Sequence, residues 1–335
     1  MVNVIFSVQN VANNPADLKF TFVPLLGDYP DYIAGTPIVY EVEDLPSNTA
    51  HFVDMGNFAP ITDTSFNGSV FIEAKKANSE EPGSIVASSM ELEFAGNNAY
   101  GFNGALDTAN KIFLPSAQCN FGPSNNETTS YAVSNPNDFQ VDVKVTYSNG
   151  IVDGPYTLAP YAKRSFDGCH AGNPKGFLGS AVAESIGGEN IHAVSKIYGG
   201  GLYPAHLGFI NGSSKVALPF VRWTNNNWEN GTGFRSYIAV QNIGTTDIPT
   251  GDVTVKYYNK NGQLVGTHEL GEILVGKKEN SHAWFIDEYE FGSDGGGSAV
   301  VEGPIGSQLA VVVRVQKFIG DGKSVGEDYT GIPIN

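Results

Sequence analysis

Long apolar runs, charged residues and cysteine are all scarce in this sequence. The longest apolar run, residues 309–313, has the length of a β-strand and is too short for a helix that spans a bilayer. Charged residues make up 16% of the 335, whereas hydrophobic residues make up 41%, so the chain can build packed cores and is not a disordered one. Low charge together with 40 glycines and many aromatic residues is typical of secreted β-proteins.

The charge balance is strongly acidic, with a formal net charge of −16. Such a surface repels nucleic-acid phosphates and anionic lipids, and no cluster of Lys or Arg offsets the repulsion. The sequence therefore predicts no nucleic-acid partner and no membrane span. Two explanations of the acidic surface stay open: solubility, and sites for divalent cations.

Three short sequence phrases recur in a fixed order, three times along the chain. The first is a strand that ends in asparagine, the second alternates apolar and polar residues, and the third begins with Gly-Ser. The copies of the first are residues 7–10, 132–135 and 239–242; of the second, 18–22, 141–145 and 253–257; of the third, 68–73, 179–185 and 297–302. A fixed order repeated three times indicates a tandem array of one module.

The repeat divides the chain into three predicted β-sandwich modules, residues 1–106, 107–212 and 213–335. Each module contains about seven strand-length segments separated by turn signals, and no segment keeps a helical period for three turns. Alternation buries one side of each strand, so two sheets must pack face to face. We therefore predict an all-β fold of three tandem sandwiches, which short linkers hold in a rod or zigzag.

The order of the motifs resembles that of tandem immunoglobulin-like repeats in large secreted bacterial surface proteins. The matching motifs are a Leu-Pro strand at residues 111–115 and 215–219, the asparagine and alternating strands, an Asn-Gly turn, the Gly-Ser-Ala-Val strand and a Tyr-x-Gly exit at 329–331. The resemblance covers nearly the whole chain. It implies immunoglobulin-like sandwiches, an extracellular or cell-surface location and a structural or adhesive role, and it brings no catalytic residues.

The two ends of the chain are out of phase with the repeat. Module 1 lacks the Leu-Pro strand that opens the other two modules, and residues 332–335 resemble the start of a fourth such strand. A sandwich that lacks a strand is a template for strand addition. One hypothesis is that the C-terminal strand docks on module 1 of the next copy, head to tail; the other is that the chain is a cut from a longer repeat protein. The residues predicted to take part in the docking are Val4, Phe6, Tyr329, Ile332, Pro333 and Ile334.

The two cysteines, Cys119 and Cys169, both lie in loops of module 2, in a chain that otherwise avoids cysteine. This pattern favours a disulfide, which would stabilise the fold by about 3–4 kcal/mol. His170 beside Cys169 raises the alternative of a catalytic or metal-binding pair, for which the sequence offers no third ligand.

Signatures of catalysis are absent from the sequence. The six histidines have no metal-binding spacing, and no Gly-x-Ser-x-Gly elbow occurs. Residues 320–324 end like a phosphate-binding loop, but Lys317 stands where the first glycine belongs, so a hairpin loop is predicted. The sequence predicts that the protein is not an enzyme, with a secreted hydrolase as an open third class.

Four sequons for N-glycosylation occur, at Asn67, Asn126, Asn211 and Asn230. Such triplets also arise by chance in a chain rich in asparagine. Asn67 directly precedes a predicted strand and is the weakest candidate.

Acidic side chains crowd the loop before residue 297, where Asp287, Glu288, Glu290 and Asp294 lie close together in sequence. Oxygen ligands in a loop at the end of a sandwich suit Ca²⁺, which is the only cofactor that the sequence suggests. The alternative is a solvated acidic loop.

Trp223 and Trp228 flank an asparagine-rich loop in module 3. Planar Trp rings beside amide donors suit the binding of sugar rings. They equally suit packing at a junction between modules or subunits, which is the interpretation we prefer.

Together these observations predict a structural subunit of an extracellular filament, sheath or surface layer, built by contacts between copies of the chain. The alternative is a cell-surface adhesin or an array of carbohydrate-binding modules.

Overall fold

The structure is a computed structural model that describes the chain except for residues 1, 62–65, 94–97, 106, 123–125, 227, 229–230 and 335. Its regular elements are antiparallel strands and one 3₁₀ turn, Ala283–Ile286, and the described residues include no α-helix. The strands form sheets that fall into three consecutive pairs, which we call the first, second and third sheet pairs. The predicted all-β fold of packed antiparallel sheets is confirmed.

The first sheet pair contains eight strands. They are β1 (Val2–Asn10), β2 (Ala16–Leu26), β3 (Ile33–Ala34), β4 (Ile38–Leu45), β5 (Ala50–Asp54), β6 (Gly68–Lys76), β7 (Ile85–Glu93) and β8 (Asn98–Asn103). One sheet has the order β5-β1-β7-β8. In the other, β4 and β6 flank β2, and β3 pairs with the last two residues of β2.

The second sheet pair also contains eight strands. They are β9 (Lys111–Cys119), β10 (Thr128–Ser134), β11 (Val141–Tyr147), β12 (Val152–Leu158), β13 (Lys163–Asp167), β14 (Phe177–Ser185), β15 (His192–Tyr198) and β16 (Ala205–Leu207). Its sheets have the orders β13-β10-β15-β16 and β12-β11-β14-β9.

The third sheet pair contains nine strands. They are β17 (Lys215–Leu218), β18 (Arg235–Asn242), β19 (Thr254–Asn259), β20 (Leu264–Glu269), β21 (Lys278–Ser281), β22 (Gly297–Glu302), β23 (Leu309–Gly320), β24 (Lys323–Thr330) and β25 (Ile332–Pro333). Its sheets have the orders β21-β18-β23-β24 and β20-β19-β22-β17-β25.

The three sheet pairs share one strand order. The sheets β5-β1-β7-β8, β13-β10-β15-β16 and β21-β18-β23-β24 correspond strand by strand. In the other sheets, β4-β2-β6 corresponds to β12-β11-β14 and to β20-β19-β22. Among the described residues of the first pair, no strand corresponds to β9 and β17, as the sequence predicts. Whether each pair is an independent module with the predicted boundaries 1–106, 107–212 and 213–335, and whether it is immunoglobulin-like, stays a prediction.

Each sheet pair encloses its own apolar core, because the alternating strands bury every second residue. In β2 the alternate residues Ala16, Leu18, Phe20 and Phe22 enter the core, and β11 and β19 repeat the pattern. Three separate clusters of buried apolar side chains follow, one in each pair.

The asparagine that ends the first repeated phrase is a buried hydrogen-bonding centre in all three pairs. Asn10 donates from Nδ2 to the carbonyl oxygens of Asn14 (2.8 Å) and Leu45 (3.0 Å), and its Oδ1 accepts from the N–H of Ala12. Asn135 and Asn242 make the equivalent bonds in their own pairs. A side chain with both donors and an acceptor can satisfy buried backbone groups of three segments at once, which explains the recurrence of asparagine.

The C-terminal segment is the exit strand of the third pair, and its likeness to the start of a fourth Leu-Pro strand is misleading. The N–H of Gly331 donates to Val311, and Ile332 then pairs with Ala217 of β17. Gly208 and Phe209 do the same in the second pair, where Phe209 pairs with Phe113 of β9. Glycine is required at this crossing, because a Cβ on Gly331 would lie 2.3 Å from Val216 Cγ1.

Candidate functional site

The three sheet pairs meet at one cleft of about 780 Å³. The outer face of the sheet β5-β1-β7-β8 forms one wall, and residues of β16 and β24 form the other. A straight rod would keep the first and third pairs apart, so a straight rod is excluded, whereas the predicted zigzag stays a prediction. The cleft is the place where residues distant in sequence come together, which makes it the first candidate for a functional site.

The first wall of the cleft is largely apolar. Phe52 (68% exposed) and Met90 (50% exposed) stand on the outward side of β5 and β7, and Ile5 lies between them on β1. Ser7 pairs with both Phe52 and Ser88, so small hydroxyl side chains separate the large apolar ones. Exposed apolar side chains grouped on a sheet face mark an interaction surface.

A buried charge network joins the second and third sheet pairs beside the cleft. Arg314 of β23 donates from Nε to Asp328 Oδ1 (3.0 Å) and from Nη2 to Asp328 Oδ2 (3.2 Å). His206 of β16 places Nδ1 3.3 Å from the same carboxylate. Burial alone would raise the pKa of Asp328, but the charge of Arg314, followed by the contact with His206, lowers that pKa to about 2. Asp328 is therefore ionised at neutral pH although its side chain is fully buried.

Arg314 also crosses to the second sheet pair. Its Nη1 and Nη2 lie 3.4 Å from Gln118 Oε1 and Ser116 Oγ of β9. Burial raises the pKa of Glu127, and the charge of Arg314 partly offsets that rise. We call this contact region, centred on Arg314 and Asp328, the second joint.

The contact between the first and second sheet pairs, the first joint, is built differently. Arg164 of β13 donates from Nη2 to the carbonyl oxygen of Pro30 (2.6 Å), and its guanidinium carbon lies 3.3 Å from the ring centroid of Tyr156 and 5.2 Å from that of Tyr32. Tyr29 donates its hydroxyl to Asp153 Oδ1 (3.4 Å). The aromatic segment at residues 29–32, which only the first pair has, thus surrounds an arginine of the second pair.

Lysines extend the first joint. Lys196 forms an ion pair with Glu91, and Lys163 Nζ donates to Asn67 Oδ1 (2.6 Å). Burial, followed by repulsion from Lys196, lowers the pKa of Lys163 to about 8. Asn67 lies at the surface, and its glycosylation stays a prediction.

Buried ionisable side chains are concentrated at these two joints. Among the described residues, those of the Asp, Glu, Lys, Arg and His classes that are buried as whole residues are Glu127, Asp153, Arg164, His206 and Arg314, and the side chain of Asp328 in the second joint is fully buried too. Asp153 and Arg164 lie at the first joint. Glu127, His206 and Arg314 lie at the second. Burial of a charge is unfavourable unless the charge is paired, so the fold places its most demanding polar contacts where sheet pairs meet.

The predicted disulfide between Cys119 and Cys169 is confirmed. Their Cα atoms lie 4.8 Å apart, and the bond closes a sequence separation of 50 residues within the second sheet pair. It connects the end of β9 to the loop after β13, the two strands that supply partners for Arg314 and carry Arg164. With both thiols oxidised, neither cysteine is available to His170 as a catalytic or metal-binding partner.

The acidic loop of the third pair does not gather its carboxylates around one point. Asp294 forms an ion pair with Lys260 (2.6 Å), Glu290 Oε1 accepts from the N–H of Asn225 and Asn226, and Asp287 accepts from the Tyr289 hydroxyl. Within the described ranges, no group of three or more His, Cys, Asp or Glu side chains could hold a metal ion. The four predicted calcium ligands, Asp287, Glu288, Glu290 and Asp294, are therefore not brought together.

Trp223 and Trp228 are packing residues. They are 4% and 8% exposed, and Arg235 places its guanidinium carbon 4.8 Å and 4.4 Å from their ring centroids. As buried rings they offer no face to a sugar, so the ligand role considered for them is wrong.

An exposed aromatic cluster in the same pair was missed by sequence reasoning. Trp284, Phe285 and Tyr289, between 42% and 52% exposed, lie on and after the 3₁₀ turn. Phe285 belongs to a column of stacked rings that runs from Trp223 through His282 and Phe285 to His268. The three aromatic residues within 284–289 are the signal in the sequence that indicates this cluster.

The remaining sequons are exposed at two positions. Asn126 and Asn211 both lie at the surface, and Asn230 falls outside the described residues. Glycosylation of these positions stays a prediction.

The residues predicted to accept or donate a strand have partners within the chain. Phe6 is buried, and β1, which carries Val4 and Phe6, has a strand on each side, so its backbone offers no free edge. The Tyr329 hydroxyl donates to the carbonyl oxygen of Phe220 (2.7 Å), and Ile332 and Pro333 pair with β17. Ile334 likewise donates its N–H to the carbonyl oxygen of Lys215. Strand donation would first have to break these contacts.

Comparison with known proteins does not identify a family. No family model and no curated protein matches the chain. A solved structure titled "Biofilm associated protein - BSP domain" is similar at 12% identity and a TM-score of 0.15. The match covers 96% of this chain and 60% of that one, and a TM-score of this size does not establish a common fold. No helix among the described residues is long and apolar enough to cross a membrane.

Proposed function

We propose that this chain is an extracellular structural protein, a subunit from which copies build a filament, sheath or surface layer. The role is architectural: the chain supplies a rigid body and surfaces for contacts between copies. The proposal includes no enzymatic activity and no cofactor.

The observation that carries the proposal is the location of the buried charges. Arg164 and Arg314 each reach from their own sheet pair to the neighbouring one, through bonds to Pro30 of the first pair and to Ser116 and Gln118 of the second. Such contacts have strict geometry, so they favour one relative orientation of the pairs, which a building block requires.

Two further properties support an extracellular location. The Cys119–Cys169 disulfide forms and persists in oxidising compartments. The surface has a formal charge of −16 and few lysines or arginines, which disfavours intracellular partners such as nucleic acids.

Electron microscopy of the purified chain, across a range of protein and salt concentrations, tests the proposal. Regular polymers or sheets are the expected result, together with sedimentation that depends on protein concentration. Dispersed single particles under every condition would contradict it.

The second candidate is an adhesin that binds carbohydrate, and the exposed cluster Trp284, Phe285 and Tyr289 favours it. Exposed aromatic faces suit the apolar faces of sugar rings. A glycan array with the wild-type chain and a Trp284→Ala variant tests this candidate, with Phe139→Ala, which removes an exposed ring elsewhere, as the matched control. Binding that Trp284→Ala abolishes and Phe139→Ala retains would support the adhesin; no binding by the wild type would exclude it for the glycans on the array.

A further inference from the structure

One isoleucine stands fully in solvent at the tip of a hairpin. Ile305, in the turn between β22 and β23, is 103% exposed. The turn is closed by the N–H of Ser307, which donates to the carbonyl oxygen of Pro304 (3.0 Å), and Gly306 has a φ of +85°. The turn therefore holds the apolar side chain outward, where water offers it no favourable contact.

The tip is also uncharged. Residues 303–308, Gly-Pro-Ile-Gly-Ser-Gln, contain no ionisable side chain, in a chain whose net charge is −16. Two copies of so acidic a protein repel each other over most of their surfaces. Contact between copies is least opposed where both surfaces carry no net charge.

The cleft between the three sheet pairs meets the same condition. Asp328 is the one carboxylate among the described residues that line it, and Arg314 neutralises that charge. The rest of the lining includes the exposed apolar side chains of Phe52 and Met90 and uncharged hydroxyl residues. Tip and cleft are therefore matched in both polarity and charge.

We propose that the cleft of one copy receives the Ile305 tip of a second copy. Ile305 would pack against Phe52, Ile5 and Met90, and the small side chains of Ser7 and Ser88 would leave room between them. This inference rests on the proposed function, since it names the contact by which subunits join.

The contact differs from the strand exchange considered from the sequence, because it leaves every strand in its own sheet. Tip and cleft are different surfaces of one chain, so the contact is heterologous and propagates into a polymer unless the rotation closes a ring. A single tip covers less area than a standard stable interface, so association is expected only at high protein concentration. Added salt is expected to strengthen it, because salt screens the repulsion between acidic copies.

Two variants test the contact by sedimentation and electron microscopy. Ile305→Asp replaces the apolar side chain at the tip, and Phe52→Asp places a carboxylate in the cleft. Each variant is expected to weaken self-association by roughly tenfold or more, because the contact would bury a carboxylate in an apolar site. Ile319→Asp, at the exposed end of another hairpin, is the matched control and is expected to assemble like the wild type. Thermal unfolding of each variant establishes that it is folded.

A mixture of the two variants gives the sharpest result. Ile305→Asp keeps an intact cleft and Phe52→Asp keeps an intact tip, so the mixture is expected to form one-to-one dimers that do not grow. If the wild type assembles and Ile305→Asp assembles equally well, this contact is wrong while the proposed function stands. If the wild type stays monomeric under all conditions, both fail. Should Phe52→Asp not fold, Ile305→Asp alone still decides, because the Ile305 side chain is fully exposed and its replacement should not disturb the fold.

Discussion

The two joints bury an arginine in opposite ways. At the first joint, Arg164 is held by aromatic rings and a carbonyl oxygen, and the nearby Asp153 is buried enough that its pKa is raised. At the second joint, Arg314 makes a bidentate ion pair with Asp328, and the pKa of Asp328 falls to about 2. The first joint thus depends on packing around a cation, and the second depends on a carboxylate that must stay ionised.

This difference teaches that one repeated strand order tolerates two unrelated ways of joining neighbours. Strand order and the buried asparagines are common to all three sheet pairs, whereas the joints use residues that are not repeated. Four changes test the comparison, taken from the largest expected effect to the smallest.

Removal of Asp328 is expected to have the largest effect. Asp328→Ala leaves Arg314 buried without its partner, which costs about 3–5 kcal/mol in the free energy of unfolding. Urea denaturation measures the loss, and Glu327→Ala, one residue away on the exposed side of β24, is the control. A combined Arg314→Met and Asp328→Leu variant is expected to recover most of the loss. Equal losses in the single and combined variants would show that the pair is not coupled.

Removal of the disulfide is expected to have the second-largest effect on the free energy of unfolding. The double variant Cys119→Ala and Cys169→Ala raises the conformational entropy of the denatured chain, because the cross-link is lost. It is expected to lower the free energy of unfolding by about 3–4 kcal/mol. Because the bond connects β9 to the loop after β13, both joints should weaken. Denaturation of the oxidised wild type beside the variant gives the difference, and a loss below about 1 kcal/mol would contradict the account.

Substitution of Arg164 is expected to have a smaller effect than substitution of Asp328. Arg164→Met keeps an unbranched side chain among the aromatic rings but loses the cation–π contact and the hydrogen bond to Pro30. The free energy of unfolding is expected to fall by about 2–3 kcal/mol. The measurement is again urea denaturation. A loss larger than that of Asp328→Ala would reverse the ranking of the two joints.

Acid should affect the joints with opposite sign. The pKa of Asp328 is lower in the folded state than its ordinary value of 3.8. Ionised Asp328 therefore contributes about 2 kcal/mol to the free energy of unfolding above pH 3.8, and this contribution is lost as the pH falls toward 2. Burial raises the pKa of Asp153, partly offset by hydrogen bonds and by Arg164, so protonation of Asp153 favours the folded state as the pH falls.

Unfolding free energies measured from pH 5 to pH 2 check this pair of signs. The fall in stability should be smaller in the combined Arg314→Met and Asp328→Leu variant than in the wild type, and larger in Asp153→Asn. A combined variant as acid-sensitive as the wild type would show that Asp328 does not titrate in this range.

Patterns local in sequence predicted much of the fold. Alternation located β2, β11 and β19, and the two lone cysteines predicted their bond, because each inference needs only the properties of nearby residues. The joints could not be predicted, since Arg164 and Pro30 are 134 positions apart and Arg314 and Gln118 are 196 apart. The likeness of the C-terminal segment to a fourth Leu-Pro strand misleads for a related reason. The pairing of this segment with β17 is set by the crossing at Gly331, which resembles the crossing at Gly208 in geometry and only weakly in sequence.

The central claim is that the joints make one body of three sheet pairs, and unfolding followed by two probes tests it most directly. All three tryptophans, Trp223, Trp228 and Trp284, belong to the third pair, so their fluorescence follows that pair alone, whereas far-ultraviolet circular dichroism follows every strand. The account predicts coincident urea transitions in the wild type and separate ones in Asp328→Ala. Separate transitions in the wild type would contradict it.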